Sequence, residues 1–267
     1  MKRTVTASLD VSVYAPARLA VQVAVAGGDA YELTETIDIL APGDSAPWTE
    51  LTAPHGGRIW LIDAQPGPVH IEYEATLTGV APPPAVDLGD QLLYLRPSRY
   101  CESDRMIGFA GRLFHDIDTP RDILAAVSSW VGTQLEYVSG SSGPTDGAVD
   151  TLLAGRGVCR DYAHLAVALL RARQIPARLV AVYAPGLNPM DFHAVAEAFV
   201  DGAWWVVDAT LLAPRSSLVR IATGRDAADT SFLSSYDGNI SLDSMFVTAV
   251  IAGDLPADDI TTAVQLG

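Results

Sequence analysis

The chain contains little cysteine, little positive charge and no long apolar run. Cys101 and Cys159 are the only cysteines among 267 residues, too few for a disulfide framework, although they could form one bridge. No stretch of about 18 apolar residues occurs, which excludes a membrane-spanning helix. Residues 1–10 alternate between apolar and polar side chains, unlike a secretory signal. Together with free thiols, these absences predict a cytoplasmic protein.

Positive charge is scarce. The chain has 17 Lys and Arg against 32 Asp and Glu, a net charge of −15, and Lys2 is its only lysine. Because phosphates and anionic lipids attract basic surfaces, this composition argues against nucleic acid and membrane surfaces as partners. The acidity favours solubility or, alternatively, a preference for cationic substrates. A chain with one lysine is also a poor amine donor for crosslinking to itself.

The first third of the chain has the pattern of β-strands. Apolar and polar residues alternate in stretches that turn residues separate, at 5–25, 31–40 and 70–77. Strands at such short intervals predict a small antiparallel β-sandwich over residues 1–81. The run Ala81-Pro82-Pro83-Pro84-Ala85 then interrupts regular structure, so we place a stiff linker at residues 82–90. Residues 91–267 form the second predicted domain.

The second domain combines helices with strands. Thr119 and Pro120 are a typical helix start, and apolar residues at three- and four-residue spacing continue this helix to Leu135. Another helix is predicted from Cys159 to about Arg173. Strand patterns follow at 178–183, 192–200 and 203–209. This order predicts an α+β domain, with helices packed on an antiparallel sheet and a β-rich C-terminal extension.

A predicted hairpin brings His193 and Asp208 together. Its Asp-Gly dipeptide at 201–202 is typical of a two-residue type I′ turn, which pairs Val200 with Ala203. In that register His193 and Asp208 lie on one face as diagonal neighbours, within reach of a side-chain hydrogen bond. A slip of one residue would put them on opposite faces.

Cys159 opens the helix that precedes this hairpin. The free N–H groups and the positive dipole end of a helix N-terminus favour a thiolate, and a neighbouring imidazolium adds to the effect. The same N–H groups can bind an oxyanion, while Gly155 and Gly157 leave room for a substrate. Combined with His193 and Asp208, this position predicts a thiol nucleophile for acyl transfer.

Each of these residues also has an ordinary structural interpretation. A single cysteine is often a small buried apolar residue, a strand histidine is often part of the core, and Asp208 could cap a turn. Cys101 could be a rival nucleophile, but no His or Asp stands near it in a comparable pattern, so packing is the better interpretation. His55, His70 and His115 are isolated, and His164, five residues past Cys159 on the same helix, is interpreted as structural. No Cys/His cluster has zinc spacing, so no metal site is predicted.

The chain resembles the transglutaminase-like superfamily, papain-like thiol enzymes with their site residues in the order Cys, His, Asp. The segments that carry the resemblance are LRPSRYCESD (95–104), GRGVCRDYAHLAVALLRARQIPARLV (155–180) and DFHAVAEAFVDGAWWVVDAT (191–210). The resemblance covers roughly residues 90–230 and implies a papain-like transglutaminase core. It also implies Cys159 as nucleophile, His193 as general base and acid, and Asp208 as orienting carboxylate. The sequence departs from the family at Val195, where a Trp often follows the His-Ala pair.

The function implied by the resemblance is that of a thiol-dependent amide hydrolase, either a cysteine protease or a peptide amidase. Such an enzyme works through an acyl-thioester on a protein or peptide substrate, without a metal or organic cofactor. A protein-glutamine transglutaminase and a catalytically silent binding scaffold are the alternatives. The family also uses a side-chain oxyanion donor upstream of the cysteine, for which Tyr100 is a candidate. Trp204 is a candidate floor of the substrate cleft, and the oligomeric state is left open.

Overall fold

Antiparallel sheets, one short parallel pair and a group of helices make up the chain in this computed structural model. The structure describes residues 1–28, 31–42, 44–45, 47–83 and 85–266, so Pro84 of the predicted linker and the terminal Gly267 lie outside the described residues. Within these ranges no helix has both the length and the apolar composition needed to cross a membrane.

Along the chain, a β-rich segment is followed by a largely helical segment and then by a second β-rich segment. The strands are β1 (Lys2–Val13), β2 (Ala17–Val21), β3 (Tyr31–Ala41), β4 (Asp44–Ser45), β5 (Trp48–Thr52), β6 (Arg58–Ala64), β7 (Gly67–Gly79), β8 (Glu136–Tyr137), β9 (Arg156–Gly157), β10 (Ala177–Tyr183), β11 (Phe192–Val200), β12 (Ala203–Val207), β13 (Val219–Gly224), β14 (Leu233–Tyr236) and β15 (Ile240–Ile251). The helices are α1 (Leu88–Leu93), α2 (Ser103–Leu113), α3 (Pro120–Gln134), α4 (Ala148–Ala154), α5 (Cys159–Ala172) and α6 (Ala227–Thr230), with 3₁₀ turns at Pro54–Gly56 and Arg215–Ser217. This is the predicted α+β architecture.

Two antiparallel sheets form a sandwich at the N-terminal end of the chain. Their strand orders are β15-β1-β7-β3-β4 and β14-β2-β6-β5. Alternate side chains of β1 are buried, with Val5, Ala7 and Leu9 all at 0% exposure, because successive residues of a strand point to opposite faces. The sandwich therefore has the expected alternating pattern. Two of its strands, β14 and β15, come from the C-terminal part of the chain.

A third sheet, of order β12-β11-β10-β13, carries α5 on one face. Small residues of β11, Ala196 and Ala198, are buried in the same cluster as Leu165 and Leu169 of α5. Small side chains let a helix approach a sheet closely, so the backbone of α5 is held near the hairpin. This packing positions the N-terminus of α5 beside β11.

Helix α3 begins as predicted. Thr119 is its N-cap, and the Thr119 Oγ1 accepts the N–H of Asp122 at 3.1 Å, with Pro120 as the first helical residue. Ile123 and Val127 on its inner face are buried against the same cluster as α5. After α3 the chain turns into β8, which brings it next to the start of α5.

The sandwich and the third sheet share one apolar interior. Tyr183 of β10 is fully buried, and its hydroxyl donates a 2.8 Å hydrogen bond to the carbonyl of Val23, which follows β2. Val219 and Ile221 of β13 belong to the same buried cluster as the sandwich strands. The strands β10 and β13 therefore join the two parts, and Phe192 at the start of β11 also packs against this interior.

Candidate active site

Cys159 is the first residue of α5, on a backbone that its neighbours fix. Val158 before it is extended, and the Val158 N–H donates to Asp161 Oδ2 at 2.8 Å. A Cβ at Gly157 would come within 2.6 Å of the Asp161 side chain, so this turn requires glycine there. Cys159 is a partly exposed free thiol. The helix start therefore presents a reachable sulfur beside free backbone N–H groups.

The hairpin has the predicted register. Val200 pairs with Ala203 across a turn whose two residues have positive φ angles of 52° and 80°, as a type I′ turn requires. His193 and Asp208 consequently lie on the same face, and the His193 Nε2 is 2.9 Å from Asp208 Oδ2. Both side chains are almost completely buried. The imidazole and the carboxylate are thus held in contact without surrounding water.

Opposing effects set the charge of this pair. Burial disfavours protonation of His193, but the charge and hydrogen bond of Asp208, with a further contribution from Cys159, outweigh it and raise the pKa of His193 to about 10. Burial likewise favours the neutral form of Asp208, but the charge of His193 and hydrogen bonds from His193 and Thr210 hold the pKa of Asp208 below its usual range. Because the Asp208 bond occupies Nε2, Nδ1 is the ring nitrogen left for the thiol.

Tyr137 lies beside Cys159, although no sequence pattern identified it. It is on β8, which pairs in parallel with β9 just before Cys159, and its side chain is partly exposed. The Tyr137 hydroxyl lies close enough to the backbone N–H and the sulfur of Cys159 for both to influence its pKa. Burial and the neighbouring sulfur raise the pKa of Tyr137 to about 12, so the hydroxyl keeps its proton at neutral pH. Tyr137 is therefore a hydrogen-bond donor beside the sulfur.

An acidic residue borders the imidazole. Asp191 lies two residues before His193, immediately ahead of β11, and one of its oxygens accepts the N–H of Phe192 at 2.7 Å. Burial raises the pKa of Asp191, while the Phe192 N–H and the charge of His193 oppose the rise. The surroundings of the sulfur and the imidazole thus include a hydroxyl and a carboxyl group.

The two remaining predicted site residues do not join this cluster. The Tyr100 hydroxyl donates to the carbonyl of Pro144 at 3.1 Å, and the ring stacks on His164 with centroids 5.3 Å apart. Trp204 is only 1% exposed, and the guanidinium of Arg178 covers its ring at 3.9 Å. Trp204 is consequently a core residue that a substrate cannot reach, and the Tyr100 hydroxyl is engaged elsewhere.

Other reactive side chains are buried in structural roles. Cys101 has no exposed surface, and burial raises the pKa of its thiol. The Nε2 of His164 accepts the N–H of Ala227 at 3.1 Å, and burial lowers the pKa of this histidine to about 3. Among the described residues no group of three or more His, Cys, Asp or Glu side chains is arranged to hold a metal ion.

Comparisons with known proteins place this fold in a family. The sequence model of the transglutaminase-like superfamily matches residues 107–209. The solved structure of a candidate cysteine protease from Cytophaga hutchinsonii is 32% identical in sequence, with a TM-score of 0.89 over 98% of this chain and 95% of that one. An uncharacterised protein of Mycobacterium leprae is 28% identical over 211 residues, which are 74% of this chain and 72% of that protein. The chain belongs to the transglutaminase-like superfamily.

Proposed function

We propose that this protein is a thiol-dependent amide hydrolase that acts on a protein or peptide substrate through an acyl-thioester. The observation that carries the proposal is the buried His193–Asp208 hydrogen bond of 2.9 Å, with the thiol of Cys159 at the start of α5 close enough to act on the imidazole. A sulfur, an imidazole and a carboxylate in this relation are the groups that nucleophilic acyl transfer needs. The candidate cysteine protease of Cytophaga hutchinsonii, similar over nearly the whole chain, adds support.

The proposed reaction begins with attack of the Cys159 thiolate on an amide carbonyl carbon. The carbonyl oxygen becomes an oxyanion as the C–S bond forms. The Cys159 N–H and the Tyr137 hydroxyl both lie beside the sulfur, and we propose that both donate hydrogen bonds to this oxyanion. His193 then gives its proton to the nitrogen as the C–N bond breaks, and the amine leaves.

Water completes the cycle. The neutral His193 takes a proton from the water as its oxygen attacks the thioester carbon, and the C–S bond breaks to release the carboxylic acid and the thiolate. Asp208 holds the ring in one tautomer and stabilises its protonated form throughout. Every proton in this scheme is carried by the chain's own residues or by the substrate and water.

The test is the reaction of the full-length protein with a peptide-like, thiol-directed electrophile, followed by intact mass and peptide mapping. We expect one adduct, on Cys159, while the fully buried Cys101 serves as an internal control. The His193→Ala variant should lose rapid labelling, and His70→Ala, an exposed histidine on the sandwich, should keep it. Equal and slow labelling of both cysteines would contradict the proposal.

A second assay on the same protein distinguishes hydrolysis from acyl transfer to an amine. With a glutamine-containing peptide and an added primary amine, hydrolysis leaves a carboxylic acid, whereas transamidation leaves the amine attached to the product. We expect the acid to dominate, and the Cys159→Ala variant to form neither product. Amine incorporation in excess of the acid would instead identify a transglutaminase, and a wild-type chain that is labelled but turns over no amide would indicate a binding scaffold.

A further inference from the structure

A cavity of about 770 Å³ lies where the sandwich, the linker and β13 meet. Its walls come from β1, β7, the linker, α1 and β13, and most of them are apolar. Leu77, Val25 and Val219 are among the apolar residues, and the three proline rings at Pro54, Pro82 and Pro83 add to them. None of the residues of the candidate active site lines this cavity, so it is a separate site.

Arg3 of β1 lines the cavity and is a buried cation. It is only 1% exposed, its Nη1 donates to the carbonyl of Leu218 at 3.1 Å and its Nη2 to that of Gly79 at 2.9 Å. Its Nε has no hydrogen-bond partner among the described residues, and no carboxylate of those residues lies within 4.0 Å of the guanidinium. Since a guanidinium has five N–H groups, several remain for a ligand.

The other charged groups at the cavity already have ion-pair or hydrogen-bond partners. Arg220 Nη2 is 2.7 Å from Glu197 Oε1, and Asp90 Oδ2 is 3.7 Å from Arg178 Nη1. Asp87 is at the exposed mouth, where its Oδ1 caps α1. The guanidinium on β1 is thus the one buried lining charge with no counter-charge in the described part of the chain. Such a buried charge is costly unless an anion compensates it.

We propose that this cavity binds a small organic carboxylate with an apolar tail, its carboxylate held by Arg3. The planar fork of a guanidinium matches the two oxygens of a carboxylate, and two of its nitrogens are already oriented by the Leu218 and Gly79 carbonyls. The volume is in the range of small-molecule sites, and the apolar walls suit a hydrocarbon body. Phosphate or acetate could pair with the guanidinium, but neither has a hydrocarbon chain that would contact the apolar walls.

The experiment is calorimetric titration of the full-length protein with decanoate below its micelle concentration. We expect saturable binding of decanoate, at least about tenfold weaker binding of decanol, which keeps the tail but lacks the charge, and none of acetate, which lacks the tail. The Arg3→Gln variant should bind decanoate at least about tenfold more weakly, and Arg3→Lys should retain part of the affinity. Arg18→Gln, which removes an exposed arginine of the same sandwich, should bind as the wild type does.

Three results would overturn the inference: no saturable binding of decanoate, equal affinity for decanol, or undiminished binding by a folded Arg3→Gln variant. The decanol comparison needs no variant and so decides the matter even where Arg3→Gln fails to fold. The Cys159→Ala variant should bind decanoate unchanged. The site is therefore tested independently of the proposed catalysis.

Discussion

At the scale of single residues, Tyr137 illustrates how a side chain of the candidate site can be invisible in the sequence. Nothing in the local pattern of residues 135–138 distinguishes it from a core aromatic. Its position depends on the parallel pairing of β8 with β9, two residues each, which brings together chain segments about twenty residues apart. The pairing has no turn chemistry or periodicity to reveal it. Cys159, His193 and Asp208, by contrast, are recognisable because a helix start and a type I′ turn have local signatures.

Removing the Tyr137 hydroxyl should slow catalysis more than it weakens substrate binding. An oxyanion exists only in the transition state and intermediate, so a donor to it contributes chiefly to kcat, and loss of one such donor costs roughly 100-fold. Tyr137→Phe should therefore lower kcat on a peptide amide by about that factor, with KM changed little. Tyr14→Phe, at an exposed tyrosine of the sandwich, is the matched control. An unchanged kcat for Tyr137→Phe would remove Tyr137 from the mechanism.

Asp208 should govern how stability depends on pH. Since the folded pKa of His193 is raised to about 10 from an ordinary value near 6.5, this group stabilises the folded state fully below pH 6.5 and loses its contribution as the pH rises towards 10. Asp208→Asn removes the main cause of the raised pKa, so the fall in unfolding free energy between pH 6.5 and 10 should become shallower. Urea unfolding at several pH values between 6.5 and 10 measures this free energy.

An exposed pair provides the control for that experiment. Asp10 Oδ1 is 2.8 Å from His70 Nδ1 on the surface of the sandwich, so Asp10→Asn makes the same chemical change without burial. We expect Asp10→Asn to leave the pH dependence as in the wild type. If Asp208→Asn gave the same pH dependence of unfolding free energy as the wild type, His193 would not be held in its protonated form by Asp208.

At the scale of elements, the N-terminus of α5 depends on Asp161. This carboxylate is 2% exposed, its Oδ2 accepts the Val158 N–H at 2.8 Å, and its Oδ1 accepts the Ser142 hydroxyl at 2.8 Å. It therefore ties the residue before Cys159 to the loop before α4. Asp161→Ala should destabilise the fold by about 1–2 kcal/mol, the usual cost of a lost cap, and should also slow alkylation of Cys159.

Helix α4 offers a matched variant. Asp150 Oδ2 accepts the N–H of Gly147 at 3.0 Å, the same capping interaction at a helix that does not carry the nucleophile. Asp150→Ala should lower the melting temperature similarly but leave the alkylation rate of Cys159 unchanged. Equal loss of thiol reactivity in both variants would mean that general stability, and not the position of the α5 N-terminus, determines the alkylation rate of Cys159.

At the scale of the whole molecule, the strand patterns predicted a sandwich but not where all its strands come from. Local alternation identified β1, β3 and β7, since one face of β1 and β7 is buried and one face of β3 is half-buried. The pairing of β15 with β1 joins Arg3 to Ile251, almost the full length of the chain apart. No local signal specifies a partner at that distance, because the pairing is chosen by the shape of the remaining sheet and by burial of its edge.

This topology predicts that the sandwich and the transglutaminase-like core unfold together. The edge of β1 is covered only when β15 is in place, and Tyr183 of the core sheet is bonded to Val23 of the sandwich. Native-state hydrogen exchange in increasing urea should therefore give the same opening free energy for the central amides of β1 and of α5. Surface helix α1 should exchange earlier in the same experiment, as an internal reference for local opening. A sandwich whose amides open several kcal/mol below those of α5 would show instead that the two parts are separate folding units, and that the shared interior contributes little to either.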